Sequence, residues 1–271
     1  MSDELARIAA ALERLAPKTA AATDWLRAPA YVWQGSARPV ESLQAPPLEL
    51  LKGIDAQKDA VTGNVSRLAA GHAAHDMLLW GSRGMGKSAL LRAAVVATQG
   101  DDPNRIALVQ VAPEALGSLA QLFAELSVQP RQFLVFIDDL GFEDQDSAGP
   151  RALRSWLEGG IEARPGNVRI AVTSNRRAIV PRHLAEQDDP INPRDAVDDR
   201  LALADRFGLS IGFHNCSQDD YLAIVAGYCT QYGLDWDEAA ALEWSKRRGA
   251  RSGRVAWQFV TELAGRAGKA L

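Results

Sequence analysis

The eleven residues Leu78-Leu79-Trp80-Gly81-Ser82-Arg83-Gly84-Met85-Gly86-Lys87-Ser88 carry the densest chemistry in the chain. An apolar run enters a glycine-rich turn, and Lys87-Ser88-Ala89 opens a segment that reads as a helix. This is the G-x-x-x-x-G-K-[ST] spacing of a phosphate loop in its required context of strand, loop and helix. Glycines let successive backbone N–H groups turn inward onto phosphate oxygens. The helix start adds unpaired N–H groups and the positive end of its dipole. Lys87 suits the terminal phosphates, and the Ser88 hydroxyl suits Mg²⁺. An ordinary glycine-rich turn ahead of a helix is the bland alternative, and the flanking strand and helix argue against it.

A phosphate loop needs a carboxylate on a neighbouring strand to hold magnesium through water. Phe133-Leu134-Val135-Phe136-Ile137-Asp138-Asp139 supplies an apolar strand ending in two acids. Asp138 is the candidate for the metal. Asp139, projecting to the opposite side at the strand end, is the candidate to orient or deprotonate the attacking water. Two turn-forming aspartates would look the same without the loop upstream. Thr173-Ser174-Asn175 ends the next apolar strand, and its amide suits the terminal phosphate or the water, although Asn after a strand is usually a turn residue. Arg200 and Arg206 precede the last strand, and Arg251 and Arg254 lie at the start of the last helix. Guanidinium groups fit phosphate through fixed planar donors, whereas surface ion pairing is their ordinary use.

The elements that must position these groups follow from periodicity. Strands are predicted at 77–80, 106–111, 132–137, 168–173 and 209–213, with amphipathic helices at 56–69, 88–97, 116–126 and 152–157. Alternating strands and helices starting at a phosphate loop predict an α/β fold, a P-loop doubly wound parallel sheet of about five strands. After residue 214 three helical segments follow with no strand between them, predicting a small C-terminal all-helical lid. The expected organisation is an N-terminal helical segment over 1–28, an extended connector over 29–49, a nucleotide-binding domain over 50–214 and the lid over 215–271. Pro29, Pro39, Pro46 and Pro47 argue against a long regular element in the connector. Tyr31, Val32 and Trp33 inside it are expected to pin it to the domain surface.

Composition sets the outer limits. The chain has 271 residues, 47% hydrophobic and 24% charged, an ordinary globular balance. A net charge of −4 does not indicate sequence-independent nucleic-acid binding, and leaves room only for a local basic patch such as Arg176-Arg177 or Lys246-Arg247-Arg248. No apolar run reaches membrane-span length, and the acidic start Met1-Ser2-Asp3-Glu4 lacks a signal core, so a cytoplasmic protein is expected. Cys216 and Cys229 show no metal or redox spacing and read as reduced thiols.

Taken together, these residues resemble the AAA+ superfamily of ATPases from about Leu50 to the C-terminus. More narrowly they resemble a bacterial AAA+ family of unknown function, through Val32-Trp33-Gln34-Gly35, Leu79-Trp80-Gly81-Ser82-Arg83-Gly84, Asp138-Asp139-Leu140-Gly141-Phe142-Glu143, Asp205-Arg206-Phe207-Gly208 and Ser252-Gly253-Arg254. The resemblance implies Walker A over Gly81 to Ser88 and Walker B at Asp138-Asp139. It implies sensor 1 at Asn175, sensor 2 at Arg254, an arginine finger at Arg206 acting on a neighbouring subunit, and an adenine pocket near Gly53-Ile54. ATP with Mg²⁺ as cofactors and a homo-oligomer follow from it. The superfamily usually ends Walker B in Asp-Glu; here Asp139 is one methylene shorter. Hydrolysis coupled to remodelling of an unidentified protein or nucleoprotein partner is the leading expectation. A nucleotide-dependent switch, loader or scaffold with little hydrolysis is the alternative. A small-molecule kinase is disfavoured by the lid's position after the sheet.

Overall fold

The apolar run 132–137 forms β5 (Gln132–Ile137), the middle strand of a seven-stranded sheet in the computed structural model. The structure describes residues 23–100, 102–140, 153, 156–157, 164–175 and 206–271. The other strands are β1 (Ala30–Trp33), β2 (Ala37–Val40), β3 (Met77–Gly81), β4 (Ile106–Val111), β6 (Val168–Ser174) and β7 (Leu209–Phe213). Their order is β2-β1-β4-β5-β6-β3-β7, parallel throughout except for the β1–β2 pair. All five expected strands are present.

Helices cover both faces. Leu79, Leu134 and Phe136 face a core built with α1 (Asp55–Ala69) and α2 (Lys87–Gln99). Leu78, Phe133, Val135 and Ile137 face the opposite core, built with α3 (Leu119–Ser127). Alternate residues of one strand thus enter two different cores, which is why these strands read as unbroken apolar runs. Leu153, Trp156 and Leu157 are helical, within the helix expected there; Trp156 meets Phe123 edge-on at 4.8 Å.

The stretch expected to be an extended connector instead adds β1 and β2 to the sheet. Tyr31 and Trp33 are buried in its second core, and the Trp33 indole donates to Ser118 Oγ at 2.8 Å. Pro39 is tolerated because β2 is an edge strand, where a missing N–H costs no ladder bond on the outer side. Arg131, 1% exposed, ties this segment down by donating to the carbonyls of Trp25, Ala28, Pro103 and Ile106. Trp25 and Leu26 form a turn, and the helix expected before them lies outside the described residues.

The last three helices are α4 (Gln218–Tyr232), α5 (Glu238–Arg247) and α6 (Gly253–Arg266), with α4 packed on α6. Ser217, Asp237 and Ser252 cap their N-termini through side-chain oxygens, and Ser217 forms a capping box with Asp220. Cys216 and Cys229 are both free and buried.

Candidate nucleotide site

The phosphate loop is shaped by contacts from three directions. Gly81 ends β3 with φ 120°, and a Cβ there would collide with the Phe213 carbonyl, which accepts from Ser82 N at 2.9 Å. The Ser82 hydroxyl donates to Asn215 Oδ1 at 2.6 Å. Gly84 has φ 75°, and a Cβ on it would lie 2.9 Å from Ser252 Oγ and 3.1 Å from Arg254 Cβ. Its carbonyl accepts from Arg254 N at 3.2 Å, so the lid helix α6 rests directly on the loop. Gly86, at φ 87°, is the N-cap of α2, while Met85 is buried in the first core and Arg83 is exposed.

Lys87 opens α2 and is only 6% exposed. Its ammonium donates to Gly81 O and Ser82 O at 2.9 Å each and to Asn175 Oδ1 at 3.0 Å. Burial pulls its pKa below the usual lysine range; Asp139 and then Asp138 oppose that fall, and Arg254 and Arg83 add to it. The next residue, Ser88, donates to Asp138 Oδ1 at 2.6 Å. The same carboxylate oxygen accepts from Thr173 Oγ1 at 2.6 Å. Asn175 spans the site, accepting from Lys87 and donating from Nδ2 to Asp139 Oδ1.

A cleft of about 750 Å³ runs over these groups. Gly84, Gly86, Lys87, Ser88 and Ala89 line it from the loop, and Asp138, Asp139, Thr173 and Asn175 from the ends of β5 and β6. Arg254 and Trp257 enter from the lid beside Tyr228 and Tyr232, facing Pro46, Pro47, Leu50 and Leu51. The size and the mixed lining suit a ligand of nucleotide dimensions.

Two expectations change here. Asp139 was expected to project away from Asp138, and both acids line the cleft. The reason is that Asp139 leaves the strand in a left-handed turn, φ 51°. Gly53 and Ile54 do not line the cleft. Gly53, at φ 74°, backs onto Asp220, and Ile54 packs in the first core near Gly86. Arg206 lies just before β7, whose first residue Leu209 pairs with Met77 at the far end of β3. That sets Arg206 beyond the far end of this pair, more than about 13 Å from this molecule's own phosphate loop, the four-residue step from Leu209 to Phe213 at about 3.3 Å per strand residue. Arg200 and Glu143 lie outside the described residues.

The sequence reading missed Thr173, Arg92, Tyr228 and Trp257 as lining residues. Helical spacing offered a signal for two of them, since Arg92 is four residues after Ser88 and Trp257 three after Arg254. Arg92 Nε is buried without a hydrogen-bond partner.

The group that a Lys-Ser-Asp set would hold besides a nucleotide is magnesium, and the residues fit it. A helix-start hydroxyl 2.6 Å from a carboxylate is a hard oxygen pair of the kind Mg²⁺ takes when most of its other ligands are water and phosphate.

A family model described as Protein of unknown function (DUF815) matches residues 26–267. The chain belongs to that family. No curated protein matches it. Among solved structures, this DUF815 chain is similar to Thermotoga maritima RuvB, described as a Holliday junction branch migration motor. The identity is 16% and the TM-score 0.54, over 84% of this chain and 68% of RuvB. It is similar also to the Aeropyrum pernix ORC1 protein in complex with DNA (16%, TM-score 0.55, 84% of this chain and 66% of that one). The Aeropyrum pernix ORC2 protein in its ADPNP-ADP complexes gives 14%, TM-score 0.53, and 82% and 70%. At such identities the likeness is one of fold: a mostly parallel α/β sheet domain followed by helices. Among the described residues no helix is long and apolar enough to cross a membrane.

Proposed function

We propose that this protein binds ATP with magnesium between an α/β nucleotide domain, residues 50–214, and a helical lid, residues 215–271. ATP is hydrolysed there with help from a neighbouring copy, and turnover rearranges a protein or nucleoprotein partner. The observation that carries the reading is the convergence of Lys87, Ser88, Asp138, Asn175 and Arg254 on one cleft.

Each residue has a chemical task. Backbone N–H groups of the loop and the start of α2 cradle the phosphates. The Lys87 charge, desolvated and bonded only to uncharged acceptors, is compensated by a phosphate oxygen, which makes it a strong anchor. Ser88 and Asp138 hold the metal, which when bound spreads charge from the terminal phosphates. Asp139, held by the Asn175 amide, orients the attacking water. Arg254 reaches the phosphates from the lid and couples lid position to the bound nucleotide. Arg206, too distant to act in its own molecule, serves the site of the next subunit in a homo-oligomer. Catalysis of this kind is positioning and charge neutralisation more than covalent chemistry.

Steady-state ATPase rates for the wild type, Lys87→Ala and Asp139→Ala test the reading. Turnover in the wild type alone, together with ATP binding by Asp139→Ala, is the expected pattern. ATP binding by the wild type with no turnover would replace the motor with a nucleotide switch. Nucleic acid and candidate proteins then enter as stimulators of the wild-type rate.

A further inference from the structure

Thr173 is 1% exposed, and its one hydroxyl does two jobs. Its proton goes to Asp138 Oδ1, 2.6 Å away, and its lone pair accepts from Asp139 N at 2.8 Å. Because a hydroxyl has a single proton, the two bonds fix its orientation. The Thr173 carbonyl then accepts from Leu140 N at 2.9 Å. Two consecutive amides after β5 are therefore captured by one residue of β6.

This capture coincides with the left-handed φ of 51° at Asp139, the one non-glycine residue with positive φ among the described residues. On a continuing strand Asp138 and Asp139 would point to opposite faces. The turn instead brings both into the cleft and places Asp139 Oδ1 against the Asn175 amide. Aspartate tolerates the left-handed region far better than longer or branched side chains do.

We infer that Thr173 is a positioning residue which holds Asp139 in a left-handed turn, so that an aspartate, and not the longer glutamate, reaches the attacking water. The inference rests on the proposed hydrolysis for its catalytic half. The missing methylene is offset by the path of the backbone. A glutamate at 139 would carry its carboxylate past the Asn175 amide and sit less readily at positive φ. The Thr173 hydroxyl also fixes Asp138, so its loss affects the magnesium carboxylate together with the water.

The test uses full-length Thr173→Val, Thr173→Ser and Asp139→Glu. Valine keeps the shape and deletes the hydroxyl; serine keeps the hydroxyl. Thr173→Val is expected to lose about 100-fold in kcat, the scale of a misplacement near 1 Å. Its ATP affinity in EDTA should stay at the wild-type value, and the gain in affinity on adding Mg²⁺ should shrink. Thr173→Ser should restore both. Asp139→Glu should turn over more slowly than wild type, although it recreates an Asp-Glu pair. A crystal structure of Thr173→Val should show Asp139 out of the left-handed region. Wild-type kcat in Thr173→Val, faster turnover in Asp139→Glu, or a Thr173→Val structure with the turn intact would each overturn the inference. Failure of the wild type to bind ATP would instead overturn the proposed function, and the crystal structure would still decide what Thr173 holds.

Discussion

Lys87 is where burial and charge meet most directly. Its three acceptors are two loop carbonyls and the Asn175 amide, and only the more distant aspartates offer opposite charge. Lys87→Ala should therefore weaken ATP binding by at least about 100-fold, the loss of a charge-assisted phosphate bond worth about 3 kcal/mol. A fluorescent ATP analogue titrated against both proteins measures it.

A second expectation concerns Cys216 and Tyr221, at the junction of sheet and lid. Burial pushes the Cys216 thiol up to about 11, with Asp220 adding to the rise, and burial pushes the Tyr221 phenol up to about 12. The folded state thus keeps protons that the unfolded chain releases from about pH 9 upward. Stability is full below that pH and falls as pH rises toward 11, because the native form binds more protons than the unfolded one. Denaturant midpoints from pH 8 to 11 should fall for the wild type. Cys216→Ala should fall less steeply, by on the order of 2 kcal/mol at the alkaline end. Equal slopes would contradict that assignment.

What the sequence made legible at this scale was set by motif spacing. Lys87, Ser88, Asp138 and Asn175 stand at strand and helix ends that periodicity locates. Thr173 was hidden, since its importance comes from a turn on another strand. Gly84 was named within the loop, but the need for glycine there was hidden. The motif leaves that position open, and it is the approach of Ser252 and Arg254 that requires glycine there.

At the scale of elements, the parallel strands and helices were legible because each strand is buried on both faces and each helix on one. The β1–β2 hairpin was not, because four prolines in and around it spoke against regular structure while an edge position made Pro39 harmless. The hairpin is integral to the sheet. Trp33 is fully buried, and Trp33→Ala should cost about 3–5 kcal/mol in urea unfolding, from lost burial and the cavity left behind. A cost below about 1 kcal/mol, the range of ordinary surface substitutions, would show the hairpin to be a surface appendage. The contact between loop and lid yields a different signature. Gly84→Ala places a methyl group against Ser252 and strains a φ of 75°. It should leave the sheet intact by circular dichroism and weaken ATP binding by about tenfold, since about 1–2 kcal/mol of strain must be relieved by displacing α6.

For the whole molecule, the two ends of the sheet hold different parts of the proposed machinery. The cleft lies at the end where β3 runs into the loop, and Arg206 lies near the start of β7 at the other. Only association of copies would bring an arginine from one end to a cleft at the other. Lys87→Ala and Arg206→Ala proteins should each be inactive alone and regain partial ATPase activity when mixed, because a mixed interface pairs an intact cleft with an intact Arg206. No recovery across mixing ratios would count against a shared site.

All of this depends on the cleft being a nucleotide site. Isothermal titration of ATP with Mg²⁺ into the wild type and into Lys87→Ala tests that most directly. Saturable binding of one ATP per chain by the wild type, strengthened by Mg²⁺ and lost in Lys87→Ala, is the expected result. Absence of binding by the folded wild type, or equal binding by both proteins, would contradict it.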